Sequence, residues 1–483
     1  MLLTIDIGTS SFKSALWDFD GSRLSFAALP LSINSDGVRH EAECAQWLRA
    51  FETCCQKLAY GGRHGNLSKV QAIIISGNGP SLVPVLGEPS VGRDGLSLEA
   101  QDARLWLDRR AVKYQAEVSD LMGGFVDLSF FLPKILSVKN DEGELYRKTK
   151  YFLGCPEYLA CALTGEARTV FPSDGFDRWF WNNAVLEKLE LDAAKFPPFI
   201  RPGDQYGTVL PPVAEHFGFA KNVPVITGGP DFFAAILGAG VMNPEQACDR
   251  TGSSEGINLC TENRINDKRL MSYGHPVKPY WNLSGNISTT GKAIEWCRDL
   301  LGLSNFEDFF ALAQESKPGS GGLVFLPYLA GERAPIWDPS VRGLWHGISL
   351  SCGRREFANS VLEGTGFAIR DVISVMEETG ARVGQLHVTG GLAASARLNQ
   401  IKADITGREI LEPAHKEAEL LGLAIIGACS LGKFASFAEA ALALVRIEKT
   451  FEPNLKNTSL YDGLFNEYKS CQTHILDNFS IIC

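Results

Sequence analysis

Leu2-Leu3-Thr4-Ile5-Asp6-Ile7-Gly8-Thr9-Ser10-Ser11 and, half a chain later, Thr251-Gly252-Ser253-Ser254 carry one signal, a glycine-and-hydroxyl turn set between apolar runs that read as strands. The chain reads as one plan built twice. Glycine lets backbone come close to a ligand, and hydroxyls beside N–H groups pointing one way suit phosphate oxygens. Two such turns suggest two phosphate grips on one nucleotide. Asp6 ends the first strand, so its carboxylate projects beside the turn, where a magnesium ion can bridge to phosphates. The combination points to an α/β kinase or ATPase.

At 483 residues the chain exceeds the size at which one core stops growing, so two domains of roughly 240 residues are predicted. Apolar residues at 45% and charged residues at 21% are ordinary for a globular protein. A net charge of −10, without long like-charge runs, disfavours nucleic acid or an anionic membrane as partner and favours a small molecule. The start lacks a basic leader region, and no apolar stretch reaches membrane-spanning length. Twelve cysteines, scattered but for Cys54-Cys55, form no Cys-x-x-Cys and no zinc-like spacing with the eight histidines. They read as reduced thiols of a cytoplasmic protein.

Strands are predicted over residues 2–7, 12–17, 24–29 and 70–77, with a helix over 43–58 between the last two. A helix-rich region follows over 98–163, stopped by Leu163-Thr164-Gly165-Glu166. Residues 223–229 read as a strand into a glycine turn and 231–238 as a helix. The boundary is set at 241–246, giving domains 1–243 and 244–483. The second half repeats strands around Gly252, a helix over 291–301 and a strand with a glycine turn over 384–391. Loops at the carboxyl ends of such strands carry the site in open α/β sheets.

Asp231 follows Gly228-Gly229-Pro230 at a helix start, where backbone donors and the helix dipole keep a carboxylate ionised. Such a group can take a proton from a substrate hydroxyl during phosphoryl transfer, which needs positioning more than a strong base. Alone it would read as a helix cap. Asp6 alone would read as a turn residue; with Gly8, Thr9, Ser10 and Lys13 it reads as part of a metal and phosphate site. Gly390-Gly391 offers a side-chain-free surface for an adenosine. Trp106-Leu107-Asp108-Arg109-Arg110 sets an indole beside acceptors and donors, suited to a polyhydroxylated substrate, or else is a surface helix with a salt bridge. Gly285 to Lys292 imitates a P-loop but has one residue too many between its glycines, has Ala293 where a magnesium-binding hydroxyl belongs, and follows no long buried strand. It reads as a turn entering a helix near the nucleotide. Trp179-Phe180-Trp181 and Phe130-Phe131 read as core or lid packing.

Phe325-Leu326-Pro327-Tyr328-Leu329-Ala330-Gly331-Glu332-Arg333-Ala334-Pro335 through Gly347 strongly resembles the FGGY carbohydrate kinases. Leu362-Glu363-Gly364, Gln400-Ile401-Lys402-Ala403-Asp404 and Gly422-Leu423-Ala424 join it, as do the motifs at Asp6, Trp106 and Gly228, in order from residue 1 to about 450. The resemblance implies two ribonuclease-H-like domains of the actin and sugar-kinase type with a nucleotide cleft between them, closure on substrate, and ATP and Mg²⁺ as cosubstrates. By position it makes Asp231 the catalytic base and Asp6 the metal-associated acid, acting partly through water. It makes Gly8, Thr9 and Ser10, with Lys13, the first phosphate loop; Gly252, Ser253 and Ser254 the second; and Gly390 and Gly391 the adenosine loop. A homodimer is the family-level expectation.

Sugar contacts are expected from Asn78, Gly79, Trp106, Asp108 and Asp231. Ser76-Gly77-Asn78-Gly79-Pro80-Ser81 departs from the Ser-Gly-Gln-Met-His-Gly usual in xylulose kinases, yet length and the Trp106 motif look most like that branch. D-Xylulose is the first substrate expected; a deoxyketose, gluconate, erythritol or another polyol is the alternative, and a non-catalytic sugar or nucleotide sensor a third reading.

Overall fold

Every residue of the opening apolar run is buried, as a strand covered on both faces requires. The computed structural model describes residues 1–60, 66–93 and 95–478. Its first sheet contains β1 (Leu2–Ile7), β2 (Ser11–Trp17), β3 (Arg23–Pro30), β4 (Ala72–Gly77), β5 (Gln205–Thr208) and β6 (Pro224–Pro230), in the order β5-β6-β4-β1-β2-β3. β1, β4 and β6 are parallel; β2, β3 and β5 run antiparallel to their neighbours. On α1 (Cys44–Tyr60) the buried Trp47, Leu48, Phe51, Cys54, Cys55 and Leu58 recur at helical spacing and join the sheet core. α2 (Phe131–Asp141) and α3 (Cys155–Thr164) follow; α3 ends at Gly165, the predicted stop, in the left-handed region at φ 77°. The stretch predicted as helix-rich also holds a short strand, Ala103–Arg104, which pairs with Arg39–Ala42. α4 (Asp231–Gly238) begins where β6 ends.

The second sheet repeats the plan. It contains β7 (Gln246–Thr251), β8 (Glu255–Thr261), β9 (Met271–Gly274), β10 (Trp281–Ile287), β11 (Gln385–Thr389), β12 (Glu409–Pro413) and β13 (Ile447–Phe451), in the order β9-β10-β8-β7-β11-β12-β13. β7, β11 and β12 are parallel, as β1, β4 and β6 are, and β8 and β10 continue β7 as β2 and β3 continue β1. α5 (Gly291–Leu300), α6 (Arg354–Glu378) and α7 (Ala396–Thr406) belong to this half. Among the described residues no helix is long and apolar enough to cross a membrane.

The compact units are not the halves 1–243 and 244–483. The first joins Met1–Gly238 to Glu419–Leu444; the second joins Ala239–Ala418 to the chain from Val445 onward. The returning helix Ala418–Ser430 is apolar around its circumference, with Leu420, Leu421, Leu423, Ile425 and Ile426 all buried. It lies so close to α4 that a Cβ on Gly422 would stand 1.9 Å from the Ala234 carbonyl oxygen. A run that is apolar on every side shows no helical spacing, and nothing in it names the sheet that receives the helix.

Candidate active site

Within the first unit, β1, β4 and β6 end together: Asp6 is in register with Ser76, and Gly77 with Pro230. Asp6 and the residue after Pro230, Asp231, therefore stand on one sheet edge with a single strand between their strands, a separation of about two strand spacings, ~10 Å. Asp6 is 6% exposed, and its Oδ1 accepts a hydrogen bond from Ser76 Oγ at 3.1 Å. Burial lifts the Asp6 carboxyl to about 7, the negative charges of Glu419 and Asp231 push the same way, and Lys13 and the Ser76 hydroxyl oppose them. Glu419, from the returning helix, was not singled out in the sequence because only the fold brings it to this edge. Asp231 is half-buried at the first position of α4, and its Oδ1 accepts the Phe232 N–H at 2.6 Å.

The first turn is closed by the Gly8 N–H donating to the Ser11 carbonyl at 2.9 Å. Trp106 Nε1 donates to Thr9 Oγ1 at 3.2 Å, so the aromatic motif and the first turn, far apart in sequence, meet. Among the described residues no three acidic, His or Cys side chains are grouped to hold a metal by themselves. Mg²⁺ keeps several waters and takes one or two carboxylates plus phosphate oxygens. Asp6, beside a phosphate-type turn and facing further negative charge, fits that mode.

Asn78 and Asp108 hold the walls of this region. Asn78 is buried; its backbone N–H and its Nδ2 both donate to the Ile7 carbonyl, at 2.8 and 2.9 Å, while its Oδ1 accepts Ser81 Oγ–H at 2.7 Å. Gly79 follows it in the same loop. Asp108 is also buried and accepts the His40 N–H, the Arg110 N–H and the Arg110 guanidinium, which reaches Glu41 at 2.6 Å as well. Burial works against the Asp108 carboxylate, but the guanidinium and the two backbone donors prevail and hold it below the usual range. The polar atoms of both residues, expected on the sugar, are engaged with the protein. The two aromatic stretches pack together: Phe130 stacks on Trp179 at 5.1 Å, and Phe131 meets Phe180 and Trp181 edge-on. A cavity of about 340 Å³ beside them, lined by Phe171, Phe180, Trp181, Phe199 and Arg201 among others, contains none of the expected site residues.

In the second unit, the turn after β7 is stitched to the start of α5. The Gly291 N–H donates to the Gly252 carbonyl at 3.1 Å, and the Thr290 and Lys292 N–H groups donate to the Ser253 carbonyl at 3.3 and 3.1 Å. The Gly390 turn lies flush on the end of β7: a Cβ there would stand 2.2 Å from the Thr251 carbonyl oxygen, and φ is +93°. Gly252 to Ser254, the α5 start and the Gly390 turn thus form one contiguous cluster of backbone. The Thr290 hydroxyl, buried beside it, has no hydrogen-bond partner among the described residues. Its signal in the sequence was the false P-loop. A buried strand, β10, does precede that segment, contrary to expectation. Gly285, Asn286 and Ile287 lie inside the strand, leaving only three residues to turn, and Lys292 Nζ points to Glu295 at 2.6 Å on the surface.

Beneath the second turn sits a buried ion cluster that sequence patterns do not show. Lys402 Nζ, on α7, donates to Asp249 Oδ2 at 2.6 Å, to Thr251 Oγ1 at 2.9 Å and to Glu255 Oε1. One ammonium faces two carboxylates. Burial first, then the Asp249 charge, pushes the Glu255 carboxyl up to about 8 against the pull of Lys402, so the group retains a proton at neutrality.

Comparison with known proteins agrees with this duplicated architecture. Residues 1–238 match the N-terminal domain, and residues 250–431 the C-terminal domain, of one family, the FGGY carbohydrate kinases. A xylulose kinase of Staphylococcus epidermidis is 28% identical over 487 residues, covering 97% of this chain and 96% of its own. A gluconate kinase and a ligand-bound xylulose kinase, both from Lactobacillus acidophilus, superpose with TM-scores of 0.86 at 21% and 22% identity, covering 100% of this chain and 99% and 100% of theirs. The structural likeness shows the fold, two sheets of the actin and sugar-kinase type, and the two domain matches, in order along nearly the whole chain, show the lineage: this protein belongs to the FGGY family of carbohydrate kinases.

Proposed function

We propose that the protein transfers the γ-phosphoryl group of ATP to a terminal hydroxyl of a small ketose, with D-xylulose, giving D-xylulose 5-phosphate, as the first substrate. The observation that carries this reading is the pairing of Asp6 and Asp231 on one sheet edge beside a closed Gly8–Ser11 turn. The nearly full-length match to a xylulose kinase supports the sugar.

In this reading Asp231 takes the hydroxyl proton, the freed oxygen attacks the γ-phosphorus, the bond to the β–γ bridging oxygen breaks, and ADP leaves. Gly8, Thr9, Ser10 and Lys13 grip phosphate from the first unit. Gly252, Ser253 and Ser254, with the Thr290 hydroxyl that has no partner among the described residues, form the second phosphate turn, and Gly390 and Gly391 lie against the adenosine. Asp6 would hold Mg²⁺, partly through water, and the ion would supply neutralisation of phosphate charge. Trp106 and Gly79 face the sugar, while Asn78 and Asp108 fix the walls that carry them.

The test is ADP release from MgATP across ketopentoses, deoxyketoses, polyols and sugar acids, with wild type and Asp231→Asn in parallel. D-Xylulose should stimulate the wild type, and the variant should lose about 10²–10⁴-fold in kcat while ADP binds both within twofold. Stimulation by gluconate or a polyol instead would replace the substrate; unchanged turnover in the variant would remove Asp231 from the base role.

A further inference from the structure

Lys134, on α2, has no exposed surface. Its Nζ donates to the Pro80 carbonyl at 2.7 Å, the Ser129 carbonyl at 2.7 Å and, more weakly, the Arg104 carbonyl at 3.5 Å. An ammonium has three N–H donors and no acceptor, whereas a neutral amine has only two hydrogens, so three carbonyl oxygens around one Nζ match the charged form. Burying that charge is unfavourable, and an apolar side chain in the same space would leave the Pro80 and Ser129 carbonyls without this donor. The lysine must therefore do something an apolar residue cannot.

What it does is visible in its acceptors. Pro80 belongs to the Asn78–Ser81 loop that leaves β4, Ser129 to the turn before α2, and Arg104 to the short strand two residues ahead of Trp106. Leu82, just after the loop, already meets Arg104 in a pair of backbone hydrogen bonds at 2.8 Å, and the cation adds the tip of the loop and the Ser129 turn to that junction. α2 grips the same strand a second time, through Ser137 Oγ on the Arg104 guanidinium at 2.5 Å. The Ser129 turn also carries Phe130, stacked on Trp179.

We infer that Lys134 is a positioning residue for the acceptor sugar, a three-way clamp that fixes the Asn78–Ser81 loop relative to Trp106 and so sets sugar affinity without touching the sugar. This rests on the proposed kinase reading, in which that loop and Trp106 line the sugar side. The charged groups facing Lys134 are Asp108 and Asp127, which favour the ammonium, and Arg109 and Arg104, which oppose it. Burial, the largest influence, brings the amine down to about 7. The ammonium is present below that range and lost above it, so the clamp weakens as pH rises.

The experiment uses the full chain and its best sugar from the substrate panel. Lys134→Met should raise the sugar KM at least tenfold, with the ATP KM and the ADP Kd nearly unchanged even where the melting temperature falls. The wild-type sugar KM should rise between pH 6 and pH 9, and that of the variant should stay flat. A variant whose sugar KM equals the wild type's, or whose sugar and ATP KM rise together, overturns the clamp. If Lys134→Met does not fold, the wild-type pH series decides: a sugar KM flat from pH 6 to pH 9 overturns the proposal. A wild type that phosphorylates no sugar sinks the kinase reading itself, which an active wild type with an indifferent variant does not.

Discussion

Replacing Lys402 by methionine keeps most of the side-chain volume and removes the one cation among Asp249, Thr251 and Glu255. Breaking a buried ion pair by deleting one partner costs about 3–5 kcal/mol. For a folding unit of this size, each kcal/mol moves the melting point by roughly 2–4 °C, so Lys402→Met should unfold about 6–20 °C lower near neutrality. The pH dependence carries the sharper test. In the wild type, burial and the Asp249 charge raise Glu255 from 4.5 to about 8. A raised folded value means that the stability from holding this proton is complete below about 4.5 and is lost as pH climbs through about 8. Lys402 pulls Glu255 down, so deleting it raises the Glu255 carboxyl further, and the variant goes on losing stability at pH values where the wild type no longer does. The deficit of the variant should thus be level up to about pH 7 and grow as pH climbs through about 8. Calorimetric melts of both proteins at pH 6, 7, 8 and 9 measure it, and ADP titration adds a functional readout, because Thr251, which leads into the second turn, loses a donor. A melting point lowered by less than about 2 °C, or by the same amount at pH 6 and pH 9, refutes this account of the cluster.

Gly390→Ala puts a side chain in a backbone region that only glycine adopts comfortably, at a cost of about 1–3 kcal/mol, and drives its Cβ onto the Thr251 carbonyl; the ADP Kd should rise about tenfold or more by calorimetry while the sugar KM holds. Trp106→Phe removes the bond to Thr9 Oγ1, worth about 0.5–1.5 kcal/mol, so kcat/KM for the sugar should fall about two- to tenfold, and an unchanged value would detach the indole from the first turn.

The turns at Gly8 and Gly252 were legible because a glycine and hydroxyls between two apolar strands leave a local imprint, and both sheets grow outward from them in the same order. α4 was legible to the residue, since Asp231 follows two glycines and precedes an unbroken apolar run. Contacts over long sequence separations left no such imprint. Asn78 and Asp108 looked like ligand residues because amides and carboxylates serve ligands and scaffolds alike, and only the positions of Ile7, Ser81, His40 and Arg110 distinguish the two uses. Lys134 and Lys402 lie in helices whose periodicity treats a lysine as a solvent-facing residue, yet both are buried by partners at least five and as many as 153 positions away. Glu419 escaped notice for the same reason: it reaches the Asp6 edge only after the chain has completed most of the second unit.

That late return fixes a timetable. Domains fold as units during synthesis, the N-terminal one ordinarily first. Here the ribosome can finish residue 238 and still not have finished the first unit, because its closing segment, Glu419–Leu444, is among the last to emerge. Until then the flat seat of Gly422 on α4 stands open, and the Asp6 edge lacks one of its three acids. A nascent chain cannot mature its acceptor half early, and no single cut, genetic or proteolytic, releases either half intact.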